Sequence, residues 1–218
     1  MLIRFAFSVT GTAKFLSHLD LVQVFARAVK RAKLPIAYSQ GFNPHPLINL
    51  GPPRGVAVAG FCEYCDMELK EDMYAEAFEK ALASAMPRDI KVFAAKTADK
   101  KQGALMAIIN AATYEVEVEN AETAFLDEAI EKLKNAEHIM CQRTHPKKGV
   151  RTVDIRPYIY DLQRQGDGKI FMEVAIGNNG NVRPVDVIEA FGIGGLKATE
   201  ILRTGLYIRD EKGNKLKP

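Results

Sequence analysis

The 218-residue chain contains no apolar run approaching the roughly 20 residues that a bilayer-spanning helix needs. Its start, Met1-Leu-Ile-Arg-Phe-Ala-Phe7, has neither the charged n-region nor the long apolar core of a secretory signal, so a cytoplasmic location is expected. Cysteine is scarce: three residues, an odd number, fit a reducing compartment and exclude a disulfide framework. No low-complexity tract is present, and 47% hydrophobic with 26% charged residues implies an ordinary globular core. Gly192-Ile-Gly-Gly195 lacks the lysine-serine pair of a phosphate-binding loop and reads as a turn. Cys62-Glu-Tyr-Cys65 has no second pair to complete a zinc site, and positions three apart on a strand face opposite ways. These cysteines are read as packing residues, with no metal and no cofactor expected. A CxxxCxxC cluster motif and the signatures of helix-turn-helix and zinc-finger proteins are missing too.

Net charge is only +3, but its distribution is uneven. Lys14, Arg27, Lys30, Arg31 and Lys33 face a single acid, Asp20, across one segment. Arg143, Lys147, Lys148, Arg151 and Arg156 face Asp154 across another. Acid gathers elsewhere, at Asp66 to Glu79 and Glu115 to Glu137, so one face is expected to meet an anionic ligand.

Leu2 to Val9 is rich in strand formers. Ser17-His18-Leu19-Asp20 matches a capping box and opens a helix that runs to about Lys33, with Leu19, Val22, Ala26 and Val29 on the apolar side. Val56 to Leu69 reads as extended, Asp72 to Met86 as a helix stopped by Pro87, and Ile90 to Ala95 as a strand. The second half repeats the theme loosely. Tyr114 to Val118 alternates as a strand, Glu122 to Asn135 is an amphipathic helix, His138 to Arg143 and Val150 to Ile155 are extended, Ile170 to Ile176 is a strand, and Pro184 to Phe191 a helix. The expected fold is α+β, in two ferredoxin-like (split β-α-β) halves with antiparallel sheets. The first half is placed at 1–97, a linker at 98–110, and the second half at 111–218.

Ala37 to Pro53 concentrates four prolines, two glycines, three amides and one histidine. Proline removes backbone donors and bars helix from the preceding residue, so the segment is stiff and non-helical. His45, clamped between Pro44 and Pro46, is the expected central contact of a preformed ligand cradle. The basic stretch Arg143 to Arg156 mixes cations with threonines and glycine, as phosphate contact requires, and Tyr158 and Tyr160 follow as stacking platforms.

Four stretches, Phe15-Leu-Ser-His-Leu-Asp20, Arg27-Ala-Val-Lys-Arg-Ala32, Leu34 to Pro46 and Asp154-Ile-Arg-Pro-Tyr-Ile159, resemble the radical-SAM-linked bacterial family with domain of unknown function 2344. The matching positions are Ser17, His18, Asp20, Tyr38, Ser39, Gln40, Gly41, Phe42, Pro44, His45 and Pro46, then Asp154, Arg156 and Pro157. The resemblance implies a radical SAM partner, since family members are either extensions of cobalamin-binding radical SAM proteins or free-standing chains encoded beside them; it supplies no activity. The chain departs from the family pattern after Pro53, and the CxxC is not a family feature.

The expected function is an accessory protein that binds RNA or an RNA-like substrate for a radical SAM partner. Arg27, Arg31, Lys147, Lys148 and Arg151 meet phosphates, and Tyr38, Gln40, Asn43 and His45 contact base or sugar. Ser39, Arg54, Asp154 and Arg156 complete the binding set. Two rivals stand beside it. One is a metal-free RNA-cleaving enzyme that uses His18 and His45 as acid and base, with Arg54 or Arg156 stabilising charge. The other is a protein adaptor for the radical SAM subunit without nucleic acid.

Overall fold

A computed structural model describes residues 1–120, 122–145, 149–177 and 180–218. The chain is a mixed α+β protein, and every strand pair with a described register is antiparallel. It divides into two compact units, residues 1–109 with 205–218, and residues 110–204.

The first unit begins with β1 (Leu2–Val9), whose eight residues are all buried because both faces of the strand are covered. Ile3, Phe5, Phe7 and Val9 alternate onto the helix-covered face. There Phe25 of α1 (His18–Arg31) meets Phe7 edge-on at 5.0 Å, and Phe78, from a later helix, meets Phe5 at 5.7 Å. On the other face Arg4 forms a bidentate pair with Asp66 at 2.7 and 2.8 Å and reaches the Gly103 carbonyl. The capping box at Ser17 and Asp20 forms as expected, both bonds being present. The buried stripe of α1 is Leu21, Phe25, Ala28 and Val29; Leu19, expected on it, is 75% exposed because, two residues before Leu21, it lies on roughly the opposite side of the helix. The helix ends in a Schellman motif, Leu34 N donating to Val29 O and Lys33 N to Lys30 O, with Lys33 in the left-handed region at φ 52°.

The chain then forms β2 (Ile48–Leu50), β3 (Ala59–Glu68), α2 (Ala75–Ser84) and β4 (Ile90–Thr97). The order is β4-β1-β3, with β2 on the free side of β3 within these four strands. Residues 98–110, expected as a linker, carry a 3-10 turn and the short α3 (Leu105–Ile108), and all but Asn110 belong to the first unit.

The second unit contains β5 (Ala111–Glu119), α4 (Thr123–Asn135), a separate two-stranded ribbon of β6 (Met140–His145) and β7 (Gly149–Asp154), β8 (Ile159–Arg164), β9 (Lys169–Ala175) and α5 (Pro184–Ala190). The long β10 (Lys197–Arg209) gives its first part to the second unit, where the order is β10-β5-β9-β8, and its last residues to the first. There β11 (Lys215–Leu216) pairs with it. β8 and β10 escape the sequence pattern because β10 mixes Lys197, Thr199, Glu200, Arg203 and Thr204 among its apolar residues and does not alternate. Gly177-Asn-Asn-Gly180, which reads as a turn, falls partly outside the described residues.

Candidate nucleic-acid interface

The proline-rich segment closes on itself as a narrow hairpin. Tyr38 bridges Pro46, and Leu47 N donates to Ala37 O at 2.9 Å. Ala37 N donates to Glu68 O and Glu68 N to Leu47 O, which ties the hairpin base to the end of β3. Its neck is Ser39 and His45. Ser39 N donates to His45 O at 2.9 Å, His45 N to Ser39 Oγ at 3.1 Å, and Ser39 Oγ lies 2.9 Å from His45 Nδ1. Gly41 takes φ 121°, a conformation side-chain-bearing residues rarely adopt, and this turns the tip. Pro44 and Pro46 fix the return limb.

This closure leaves residues 40–44 exposed, Phe42 fully so. Gln40 and Asn43 are exposed on either side of it, and His45 is exposed below. An apolar ring held fully in water on a hydrogen-bonded loop gives the fold nothing, since no buried area accompanies it.

The hairpin rises from the end of the first unit where cations gather. Lys30 and Lys33 are exposed at the C-terminal end of α1, where positive charge also suits the helix dipole. Lys70 N donates to Pro35 O at 2.8 Å, and its ammonium stands 5.5 Å over the Tyr38 ring. Glu71 and Asp72 follow Lys70 and are both exposed. Arg27 is exposed one turn earlier on α1. Arg31 is engaged, donating to Ala85 O at 2.6 Å beyond the end of α2.

Other expected binding residues turn out to hold the scaffold. Arg54 donates to the carbonyls of Lys14, Val58, Ala13 and Leu16 at 2.7 to 3.3 Å, which joins the 3-10 turn Gly11–Phe15 to the loop before β3. Asp154 accepts from Ile139 N at 2.9 Å and Arg156 N at 3.0 Å and pairs with His138 Nδ1 at 2.7 Å. Arg156 donates to Ala136 O, Ile159 O and Lys134 O, closing the C-terminal end of α4. The Asp-Ile-Arg-Pro motif thus organises a turn. The bond from His138 foremost, then those from Ile139 and Arg156, hold the Asp154 carboxyl down at about 2.

In the ribbon, Arg151 is exposed and lies opposite Arg143. Arg143 is committed to Asp186 at 2.5 Å and Asn181 O at 2.7 Å. Burial pushes the Asp186 carboxyl up, but the bonds from Arg183 and Arg143 outweigh it and the net shift is downward. Lys147 and Lys148 lie outside the described residues. Tyr158 packs beside Gly180, and Tyr160 sits in β8.

His18 and His45 are not brought together. His18 opens α1 and lines a cleft with Gly51, Pro52, Arg54 and Glu63, whereas the hairpin leaves from the far end of that helix. A helix of 14 residues spans about 21 Å, so the two imidazoles do not form an acid–base pair. Phe42, Lys33 and Lys70 were not singled out from sequence as contacts.

The motifs that build this hairpin and its helix match a bacterial family profile, described as an uncharacterized protein conserved in bacteria (DUF2344), over residues 2–184. The chain belongs to that family. No curated protein matches it. Among solved structures it is similar to a Cbf5-Nop10-Gar1 complex, at 13% identity and TM-score 0.46, over 95% of this chain and 51% of the matched one. It is similar also to an archaeal box H/ACA sRNP Nop10-Cbf5 complex, at 9% identity and TM-score 0.45, over 93% of this chain and 47% of the other. The DUF2344 chain therefore spans about half the length of these matched chains. With both TM-scores under 0.5, neither likeness bears on the reading of the site.

Proposed function

We propose that this DUF2344 protein is an RNA-binding accessory protein, with the hairpin 37–47 and the cations at its base as the contact surface of the first unit. The observation that carries the reading is the closed neck at Ser39 and His45, which holds an exposed tip beyond a base where the Lys70 ammonium stands over the Tyr38 ring. A preformed loop loses little entropy when it binds, and lysines spaced around it can meet successive phosphates. Arg27 adds a cation to the surface of the first unit; in the second unit Arg151 and, by sequence, Lys147 and Lys148 are phosphate contacts of their own. Tyr38, Gln40, Asn43 and His45 serve base or sugar. The radical SAM partner belongs to the proposal on the family resemblance, and the strand orders of the two units support reading each as a split β-α-β half.

The test is a titration of RNA into the protein over a range of salt. Phosphate contact predicts affinity falling steeply with salt, and Lys30→Ala, Lys33→Ala and Lys70→Ala together should reduce the log–log slope by about 2 to 3, near 0.7 to 0.9 per contact. Salt-independent binding, or no binding at low salt, rejects the reading. Crosslinked purification from the native cell tests the partner: recovery of a radical SAM protein with RNA supports the accessory role, and recovery of a protein alone favours the adaptor.

A further inference from the structure

We infer that the hairpin tip is a stacking site for an unpaired nucleotide, with Phe42 as the platform and Gln40, Asn43 and His45 as the polar groups that meet the base edge and sugar. The inference rests on the RNA reading above and narrows it to a substrate class, RNA whose bases are open.

Three features of the tip select this ligand. Phe42 is fully exposed, and so is every residue from Gln40 to His45, two amides, a proline and an imidazole among them. A protein-binding hot spot sits in a well-packed, desolvated surround, and the tip supplies none. A nucleotide, by contrast, combines a flat face for stacking, an edge of donors and acceptors for the amides, and a phosphate for Lys30, Lys33 or Lys70 at the hairpin base. The tip bears no formal charge of its own from Ala37 to Pro53, so charge and stacking are separated along the hairpin as they are along a nucleotide.

The class follows from access. In an A-form duplex each base face is covered by its neighbours and the major groove is too narrow for side chains, whereas loops, bulges and single strands leave faces open. A ring on a narrow hairpin reaches only the second kind. The Ser39–His45 neck matters because stacking gains are spent if the platform must first be ordered; with Ser39 N, His45 N and the Ser39 hydroxyl all engaged, the platform is ordered before binding.

The experiment uses the whole chain and two probes: a fluorescein-labelled unstructured RNA strand, and the same strand annealed to its complement. The single strand should bind more tightly than the duplex. Phe42→Ala should weaken single-strand binding by about 5- to 150-fold, the range that stacking on one aromatic covers, and should leave duplex binding unchanged. Because Phe42 is fully exposed, thermal unfolding of the variant should match the parent. The chain has no tryptophan, so Phe42→Trp places its sole indole at the tip, and single-strand RNA should quench it. Equal, salt-dependent binding of both probes with no effect of Phe42→Ala overturns this inference while leaving the RNA reading in place. Failure of both probes to bind at low salt overturns the two together. If Phe42→Ala leaves RNA binding intact but abolishes a dimer seen by sedimentation, the ring packs against a second copy and the inference is wrong.

Discussion

Ser39 Oγ stands 2.9 Å from Nδ1 of His45 and accepts that residue's backbone N–H at 3.1 Å, so one hydroxyl ties both the main chain and the ring of the histidine that closes the hairpin. With its oxygen already accepting one N–H, the hydroxyl is expected to donate its proton to Nδ1, which leaves neutral His45 as the Nε2–H tautomer and turns a donor outward. Long-range nitrogen–proton NMR correlations at alkaline pH read the tautomer directly. An Nδ1–H form would sink this assignment. His45→Ala should weaken RNA binding by about 1 to 3 kcal/mol, the cost of leaving a partner group unpaired, with thermal stability nearly unchanged.

The ion pair of Arg4 and Asp66 is deeply buried, its side chains being 1% and 6% exposed. Removing one partner strands the other without water, so Asp66→Ala is expected to cost about 3 to 5 kcal/mol in urea unfolding. Replacing both, as Arg4→Met with Asp66→Leu, should recover most of that loss. A single mutant that unfolds like the parent would refute the pair's structural weight.

Lys33 occupies φ 52° just past the end of α1, where a Cβ is strained and glycine is not. Lys33→Gly relieves that strain but gives the unfolded chain more freedom, and for a C′ position the first effect is expected to win by about 0.5 to 1 kcal/mol. A rise in the denaturation midpoint without a change in slope is the expected result. Because Lys33 also stands at the proposed phosphate surface, the same variant should bind RNA more weakly, which separates fold from function at one residue.

Asp154, held at about 2 in the folded chain, has an unfolded value of about 3.9. A folded value below the unfolded one means its bonds stabilise the protein above about pH 4 and are lost as pH falls through about 2. Asp154→Asn should therefore lower stability at neutral pH and make the loss between pH 4 and 2 shallower than in the parent, as followed by urea midpoints along a pH series. Identical acid slopes in the two proteins would contradict the assignment. Asp89, Asp127 and Asp210 are also held low by hydrogen bonds, but they titrate equally in both chains and cancel from the comparison.

Local signals carried the elements they describe. The strand formers of Leu2 to Val9, the Ser17–Asp20 capping box, the periodicity before Pro87 and the proline at the start of α5 all act over a few residues, and each element forms there. The stiffness of Ala37 to Pro53 was legible for the same reason, since proline acts on its own φ and on its neighbour. What could not be read locally was the destination of each side chain. Arg54, Asp154 and Arg156 looked like ligand contacts because charge in a loop has no partner in the linear sequence; Arg54 reaches three carbonyls 38 to 41 residues away, Arg156 one 22 away, and Asp154 the His138 ring 16 away. The pairing of Arg4 with Asp66, 62 residues apart, was equally hidden. So was the exposure of Phe42, because whether an aromatic is buried depends on which surfaces the rest of the chain brings to it. The sequence by itself determined the elements, the stiff loop and the basic segments, because propensity, capping and proline geometry are short-range. Only the tertiary structure decided which cations serve the scaffold and which face water, because that depends on carbonyls and carboxylates supplied by distant segments.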